Sequence, residues 1–378
     1  MKRKLLALGL GTESFLEAEI QPSQFEYDSF SDCYLGNECK LLYIELTNNC
    51  NYNCIHCYAE IEKGNNEYLS PSSFDIVLSQ LPTGCKCDIR LSGGEPFLNT
   101  NIKYFISKIS QSIVPYSQHS IVTNGSFTIS DAKFAIENNF QLQISIYGMS
   151  YETFNKFTKA SKSNWEKVMN NLDILSKSSF KSNVVLCFAV NNITYNELDA
   201  FIEYANSRSF KYILNRAASI GRAVNNWGDI QLPSEKHFEF SRNTKSKSLR
   251  FCYHMCQLHI SVICVNGNVI PCSFLRKPKY IFGNVFDSSI ESIWKSDKYM
   301  MFRTLTPKMV EKCKSCEFMY VCTAGCCAEA DGYSDNILAC YPWCLVKPFE
   351  NSYLDIKDNE IYEVDKLAAG TFEFRLIE

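Results

Sequence analysis

The chain reads as an α/β protein, a partial (β/α)6 TIM-like barrel followed by a cysteine-rich C-terminal region. Three observations predict this. Six apolar, strand-like runs alternate with amphipathic helical stretches, the pattern of parallel strands joined by crossover helices. Glycine-rich polar elements follow those runs at their C-terminal ends, where parallel barrels place active sites. Finally, the chain has 378 residues and 19 cysteines, which crowd in beyond residue 250.

Residues 1–40 form an irregular N-terminal extension carrying Cys33 and Cys39. Strands are expected at Leu41–Leu46, Cys87–Leu91, Ser120–Thr123, Leu142–Ile146, Val184–Val190 and Tyr212–Leu214. Helices are expected at Ile102–Ser112, Asp131–Asn138, Trp165–Ser176 and Tyr195–Ser207, where apolar residues recur at every third or fourth position. Six such units fall short of a closed eight-stranded barrel, so an open barrel over residues 41–230 is expected. The polar stretch Gln231–Lys247 reads as a boundary. Residues 248–346 then form a second, cysteine-rich domain, and 347–378 a C-terminal tail.

Bulk properties exclude some classes. A net charge of -3 gives no long-range attraction for nucleic acid or for an anionic membrane. No apolar run approaches the roughly 18 residues of a membrane span. The basic, Leu-rich N-terminus is interrupted by Glu13 and no small-residue cleavage site follows, so a cytoplasmic setting is expected. In that compartment abundant cysteine points to metal rather than to disulfides.

The decisive motif is Cys50-Asn-Tyr-Asn-Cys54-Ile-His-Cys57, a CxxxCxxC directly after the first strand. Three thiolates on one short loop can hold three irons of a cubane and leave the fourth open to substrate. A structural zinc site wants a fourth ligand and usually pairs two CxxC knuckles. Zinc, or chance clustering in a cysteine-rich chain, is the competing reading of this motif alone. Its context decides against that: Ser92-Gly93-Gly94-Glu95-Pro96 ends the second strand, Thr123-Asn124-Gly125 the third, and Ser145-Ile-Tyr147-Gly148 the fourth. Adjacent glycines let backbone approach a ligand closely, and a neighbouring carboxylate can hold an ammonium group.

With these motifs in this order, the chain resembles the radical S-adenosylmethionine (SAM) superfamily. The resemblance implies that Cys50, Cys54 and Cys57 hold a [4Fe–4S] cluster whose open iron binds SAM. Reductive cleavage of SAM then yields a 5′-deoxyadenosyl radical that abstracts hydrogen from substrate. Gly93, Gly94 and Glu95 would face the methionine amine, Asn124 and Ser145 the ribose or carboxylate, and His56 the adenine. His56 replaces the aromatic residue common before the third cysteine.

Downstream, Cys256 and Cys272 flank Gly267, and Cys313-x2-Cys316-x5-Cys322-x3-Cys326 is followed by Cys344. This array resembles the SPASM domain of peptide- and protein-modifying radical SAM enzymes, and it implies two auxiliary [4Fe–4S] clusters, making three in all. Cys252, Cys256, Cys272 and Cys326 would bind the inner one; Cys313, Cys316, Cys322 and Cys344 the outer one. Cys264 and Cys340 are rivals for Cys252 and Cys344. Taken alone, the array also fits a pair of zinc knuckles. Cys85 and Cys87 read as core or rim residues at a strand start, Cys187 as a small apolar residue in a buried strand, and His254 as a surface or supporting histidine.

The implied function is maturation of a ribosomally made precursor peptide by an oxidative cross-link (thioether, carbon–carbon or aryl ether). Arg216 and Gly221-Arg222-Ala223 resemble an element of peptide-modifying relatives, and a solvated basic turn explains them equally. The alternatives are formylglycine-generating protein oxidation of the sulfatase-maturase type and, in another class, a non-enzymatic multi-cluster electron carrier. An electron carrier has no need of a small-molecule pocket, which the GGEP and TNG elements provide. The resemblance also implies a flavodoxin- or ferredoxin-type electron donor. The segment before Leu41 is about half a winged-helix domain in length. Leader recognition is therefore expected to use a separate small protein, or the barrel and N-terminal surfaces. No residue is nominated as general base.

Overall fold

The structure is a computed structural model that describes residues 5–7, 41–61, 66–81, 86–115, 117–233, 236, 260–303, 305, 307–314, 325–342, 361–366 and 372–377. The chain divides into two compact units, one of residues 37–232 and 259–301, the other of residues 1–36, 233–258 and 302–378. The second unit contains a three-stranded sheet in the order β1-β11-β12, with β1 (Leu5–Ala7) parallel to β11 (Ile361–Lys366) and β12 (Phe372–Ile377) antiparallel to β11.

The first unit is built on β2 (Leu41–Glu45), β3 (Asp88–Ser92), β4 (His119–Thr123), β5 (Phe140–Ile146), β6 (Val184–Val190) and β7 (Lys211–Arg216). These lie side by side in chain order, all parallel, which is what successive right-handed crossovers of one sense produce. Between them run α1 (Pro71–Ser79), α2 (Ile102–Ser112), α3 (Ile129–Glu137), α4 (Tyr151–Thr158), α5 (Lys162–Ser176) and α6 (Leu198–Ser207). β7 is one edge of the sheet and does not close it, so the barrel is partial.

The other edge departs from expectation. β8 (Ile260–Ile263) pairs in parallel with β2, and β9 (Asn268–Ile270) and β10 (Gly283–Asn284) follow antiparallel, giving nine strands in all. Residues 260–284, within the stretch expected as the cysteine-rich domain, extend the barrel sheet. The reason is edge pairing: β2 would otherwise expose a row of unpaired backbone groups. The short apolar runs that supply the new strands are hard to tell from loop in a cysteine-rich background.

Helix starts are set by caps. Thr128 and Ser161 accept from Asp131 N and Asn164 N, so α3 and α5 begin two and three residues before the positions expected from periodicity. The expected helix over 195–207 divides into a 3-10 turn, Tyr195–Glu197, and α6. α1 and α4 were not expected. α4 is short, but its Ser150 cap and the buried Phe154 and Phe157 are legible signals of a helix.

Alternation decides the faces of the sheet. In β5, Phe140, Leu142, Ile144 and Ile146 are buried while Gln141, Gln143 and Ser145 are half-buried on the opposite side. A polar row crosses that opposite side in register, Tyr43 beside Arg90 beside Ser120. Arg90 donates to Ser120 Oγ at 2.9 Å and to Tyr43 Oη at 2.7 Å. Cys187, expected in the apolar core, is half-buried and registers with Ser145, so it shares this polar face.

One buried amide ties α5 to the loop after β4: Asn171 Nδ2 donates to the carbonyls of Gly125 (2.9 Å) and Phe127 (3.0 Å). Asn171→Ala orphans two carbonyls at a buried site. It should lower unfolding stability by about 2–4 kcal/mol, read as an earlier denaturant midpoint with unchanged m-value.

Candidate active site

The three-cysteine loop leaves the C-terminal end of β2 and is braced on three sides. On the first, Gly94 N donates to Thr47 O (2.8 Å) and Glu95 N to Asn49 O (2.9 Å). Backbone thus packs directly on backbone: a Cβ at Gly93 (φ 127) would strike the Thr47 carbonyl, and one at Gly94 the Asn49 carbonyl. The paired glycines therefore serve the cluster loop itself.

On the second side, Asn53 N donates to Thr158 O and Ile55 N to Phe157 O, each at 3.0 Å. These are carbonyls of the last turn of α4, which have no intrahelical partner. On the third, a turn made of α7 (Arg222–Asn225) and its preceding Gly221 meets the end of the loop. Arg222 N donates to Cys57 O at 3.1 Å, the Arg222 guanidinium to Asn53 Oδ1, and Asn226 Nδ2 to Ile55 O at 3.1 Å. Gly221 (φ 56) permits this contact because a Cβ there would overlap the Cys57 and Tyr58 carbonyls. The Gly221-Arg222-Ala223 element is thus part of the loop's scaffold, while Arg216 bonds Ala217 O at 2.9 Å.

Glu95 is buried and joins the ends of two strands. Its Oε1 accepts from Thr123 Oγ1 (2.7 Å) and Phe97 N (3.2 Å), and its Oε2 from Asn124 N (2.7 Å). Burial raises its pKa to about 7 against these donors, which lower it. Asn124 continues the chain of bonds: its Nδ2 donates to Asn51 Oδ1 (2.8 Å) and approaches Cys50 Sγ (3.9 Å), and Asn51 Nδ2 donates to Ser126 Oγ (2.9 Å). The GGEP, TNG and cysteine elements are therefore one hydrogen-bonded unit. Ser145 lies half-buried on β5, and Tyr147 beyond it reaches His56, with ring centroids 5.1 Å apart. His56 stacks on Phe157 at 4.2 Å, and its Nδ1 is buried without a hydrogen-bond partner. Burial lowers its pKa to about 3, so the ring is neutral.

The residues fit a sulfur-bound cluster. Cys50 and Cys57 are half-buried and Cys54 buried, and none forms a disulfide. They pack with Tyr52, Phe154, Tyr147, Tyr151 and Trp165, an aromatic wall that limits water. Tyr52 N (3.5 Å) and Asn124 Nδ2 both point hydrogen at Cys50 Sγ, the kind of outer contact that stabilises a metal-bound sulfur. Burial raises the Cys50 thiol to about 12 and Cys54 well above its ordinary value, so metal binding must displace protons. The aromatic wall was missed in the sequence because α4 was.

Of the expected auxiliary ligands, Cys272, Cys313 and Cys326 are described, each half-buried. Cys272 Sγ accepts from Phe274 N (3.5 Å). Cys313 ends the 3-10 turn Glu311–Cys313, and Cys326 sits at the N-cap of a helix, Cys327–Ser334, whose N–H groups favour a thiolate. Cys264 lies beside Glu45, which is also ion-paired to Arg276. Cys87 is buried and Cys340 half-buried. Cys252, Cys256, Cys316, Cys322, Cys344, Cys33, Cys39, Cys85 and His254 lie outside the described residues.

Comparison with known proteins gives two family matches. The Radical SAM superfamily matches residues 44–205, and the iron-sulfur cluster-binding domain SPASM matches 252–317. Mycofactocin maturase MftC of Mycolicibacterium smegmatis is 23% identical over 75% of this chain and 77% of its own. A cysteine-type anaerobic sulfatase-maturating enzyme of Clostridium novyi is 25% identical over 77% and 90%. Among solved structures, anSMEcpe with bound AdoMet superposes with a TM-score of 0.60 at 19% identity, covering 81% of this chain and 90% of that one. Streptococcus suis SuiB bound to precursor peptide SuiA gives 0.59 at 14% identity, covering 85% and 79%.

Gly94→Ala should displace the loop that carries Cys50. Iron retained after anaerobic reconstitution should fall by more than half relative to the wild-type chain, while far-ultraviolet circular dichroism stays unchanged.

Proposed function

Because the chain belongs to the radical SAM superfamily, carries a SPASM iron–sulfur region and is an enzyme of SAM-dependent radical chemistry, we propose that it matures a ribosomally made precursor peptide by an oxidative cross-link. The observation that carries this reading is the single hydrogen-bonded unit of Cys50–Cys57, Gly93–Glu95 and Thr123–Ser126, accompanied by a second cysteine array. An electron carrier has no need of the GGEP and TNG elements beside the cysteine loop. Relatives support the peptide substrate: one is named a sporulation killing factor maturation protein, 27% identical over 54% of this chain and 48% of its own, and SuiB is titled as bound to a precursor peptide.

When bound, the clusters would supply one-electron chemistry, reductive at the first site and oxidative at the auxiliary sites. The chain's own residues place and enclose these groups. Cys50, Cys54 and Cys57 hold the first cluster, and the C-terminal cysteine array named above takes the other two. Gly93, Gly94, Asn124 and Ser145 line the SAM site, with His56 toward the adenine. The Glu95 carboxylate, already engaged by three protein donors, positions the strand ends, and its neighbouring backbone faces the methionine amine. The aromatic wall of Tyr52, Phe154 and Trp165 limits water around the first cluster's thiols.

The second reading is oxidation of a protein residue to formylglycine, favoured by the sulfatase-maturase relative that matches over 90% of its length. An aldehyde in the product, trapped by a hydrazide, would select it; an aldehyde-free, protease-resistant cross-linked peptide selects the first. Among the described residues no helix is long and apolar enough to cross a membrane.

Anaerobic reconstitution should yield about twelve irons per chain, the content of three [4Fe–4S] clusters, and dithionite-dependent 5′-deoxyadenosine. Replacing Cys50, Cys54 and Cys57 together by alanine should remove about four irons and abolish that product. Zinc in place of iron, with no cleavage of SAM, would defeat the radical reading.

A further inference from the structure

We propose that the inner face of the partial barrel carries a carboxylate receptor, Arg90 with Ser92, which selects a precursor peptide by an aspartate or glutamate side chain. The inference deepens the peptide-maturation reading above and rests on it. It comes from a braced guanidinium that has no ion pair and a buried hydroxyl that has no hydrogen-bond partner, both on one face of β3.

Crossover helices cover the apolar side of such a sheet, so its polar side is the inner one. On β3, Ile89 and Leu91 are fully buried on the helix side, and Arg90 and Ser92 alternate with them on the inner face. Arg90 is half-buried and braced: its Nε donates to Ser120 Oγ (2.9 Å), its Nη1 to Tyr43 Oη (2.7 Å), and its Cζ lies 5.1 Å from the Tyr43 ring centroid. Among the described residues Nη2 has no acceptor and the guanidinium has no ion pair. The acids around it are engaged elsewhere. Asp88, two residues earlier on the same face, accepts from Ser117 N (2.7 Å) and Ser117 Oγ (2.6 Å). Glu45, in register with Ser92 on β2, is ion-paired to Arg276. Glu95 takes its donors from Phe97, Thr123 and Asn124.

Ser92 supplies the second group. It is 2% exposed and its Oγ has no hydrogen-bond partner, an arrangement that costs stability until something brought to the site completes it. Arg90 and Ser92 stand about 7 Å apart along the strand. Ser92 directly precedes Gly93 and Gly94, whose backbone lies against the cysteine loop, so the receptor sits just beneath that loop. Cys187 shares the same polar face from β6; burial raises its thiol to about 11, against the charge of Arg90, which lowers it. The groups around the guanidinium are thus neutral hydroxyls and a neutral thiol. One fixed planar cation among them suits a single negative charge spread over two oxygens, whereas a phosphate dianion would call for a second cation. The carboxylate accepts from the free edge of Arg90, and the Ser92 hydroxyl donates to it. The carbon chain of the acid then runs toward the strand ends, where the cysteine loop stands.

The test captures a displayed library of random short peptides on the full reconstituted enzyme, with SAM present and reductant absent. Peptides recovered on the wild-type chain should be enriched in Asp and Glu over Asn and Gln at one position. Replacing that acid by its amide in a recovered peptide should weaken its Kd by about tenfold or more, a comparison that needs no variant enzyme. Arg90→Gln should weaken the acidic peptide by a similar factor and leave the amide peptide unchanged. Arg90→Lys should restore part of the preference, and Ser92→Ala should weaken the acidic peptide by about threefold. Iron content and far-ultraviolet circular dichroism matching the wild type show that the variants are folded and loaded. Recovery of no peptides, or of peptides with no acidic preference, would overturn the proposal, and so would a preference that survives Arg90→Gln in the folded, loaded variant. A Kd for SAM that weakens in Arg90→Gln while peptide selectivity is unchanged would overturn it too and give the guanidinium to the cofactor's carboxylate. Acidic peptides that bind but leave a dithionite-driven reaction with unchanged mass would sink the maturation reading instead, while the Kd comparison still decides the receptor.

Discussion

The site depends on one close approach: the backbone of Gly93, Gly94 and Glu95 lying against the backbone of Thr47 to Cys50. Two N–H···O bonds fasten it, and at Gly93 and Gly94 only a residue without a Cβ allows it. From that contact the first cysteine acquires its position relative to the sheet. Glu95 then extends the order sideways, because its buried carboxylate takes donors from both its own strand's exit and the exit of β4. A neutral amide at this position lacks one acceptor oxygen, and a shorter acid cannot span the gap between strands.

The far side of the loop is ordered by α4, a helix of eight residues held at both ends. Its C-terminal carbonyls receive the loop's amides. Its N-terminus is fastened by Glu197, whose carboxylate accepts from Met149 N (2.6 Å) and Thr153 Oγ1 (2.8 Å) as well as from Ser150. So short a helix is marginal by itself, and the anionic group at its positive end together with the tertiary bonds at the other makes it rigid. Phe154 and Phe157 on its buried face complete the wall around the thiols and the platform under His56. Structural rigidity and cluster environment are thus supplied by the same eight residues.

Electrostatics divide the larger unit into two regimes. Around the thiols, burial drives several groups toward neutrality: Cys50 and Cys54 upward, His56 downward, Glu95 to about 7. Such a low-dielectric setting strengthens any interaction made by a bound cluster and its charged ligand. Immediately outside, the α4–α5 corner carries exposed Lys156, Lys159, Lys162 and Lys167 together with exposed Glu152 and Glu166.

Much was legible in the sequence alone. Period-two and near-3.6 hydrophobic patterns marked all six central strands and most of their helices, and cysteine spacing marked the three-cysteine loop, because both signals are local and repeat within a few residues. Tertiary structure decided what depended on distant partners. It turned residues 260–284 into three more strands of the barrel sheet, since β2 needed a neighbour that no pattern near residue 41 reveals. It set Cys187 on the polar face of that sheet beside Ser145. It also gave the glycines and carboxylate of Gly93–Glu95 to the loop and to β4, because a hydrogen bond is made to whatever the fold brings near, and the sequence records only which groups are able to make one.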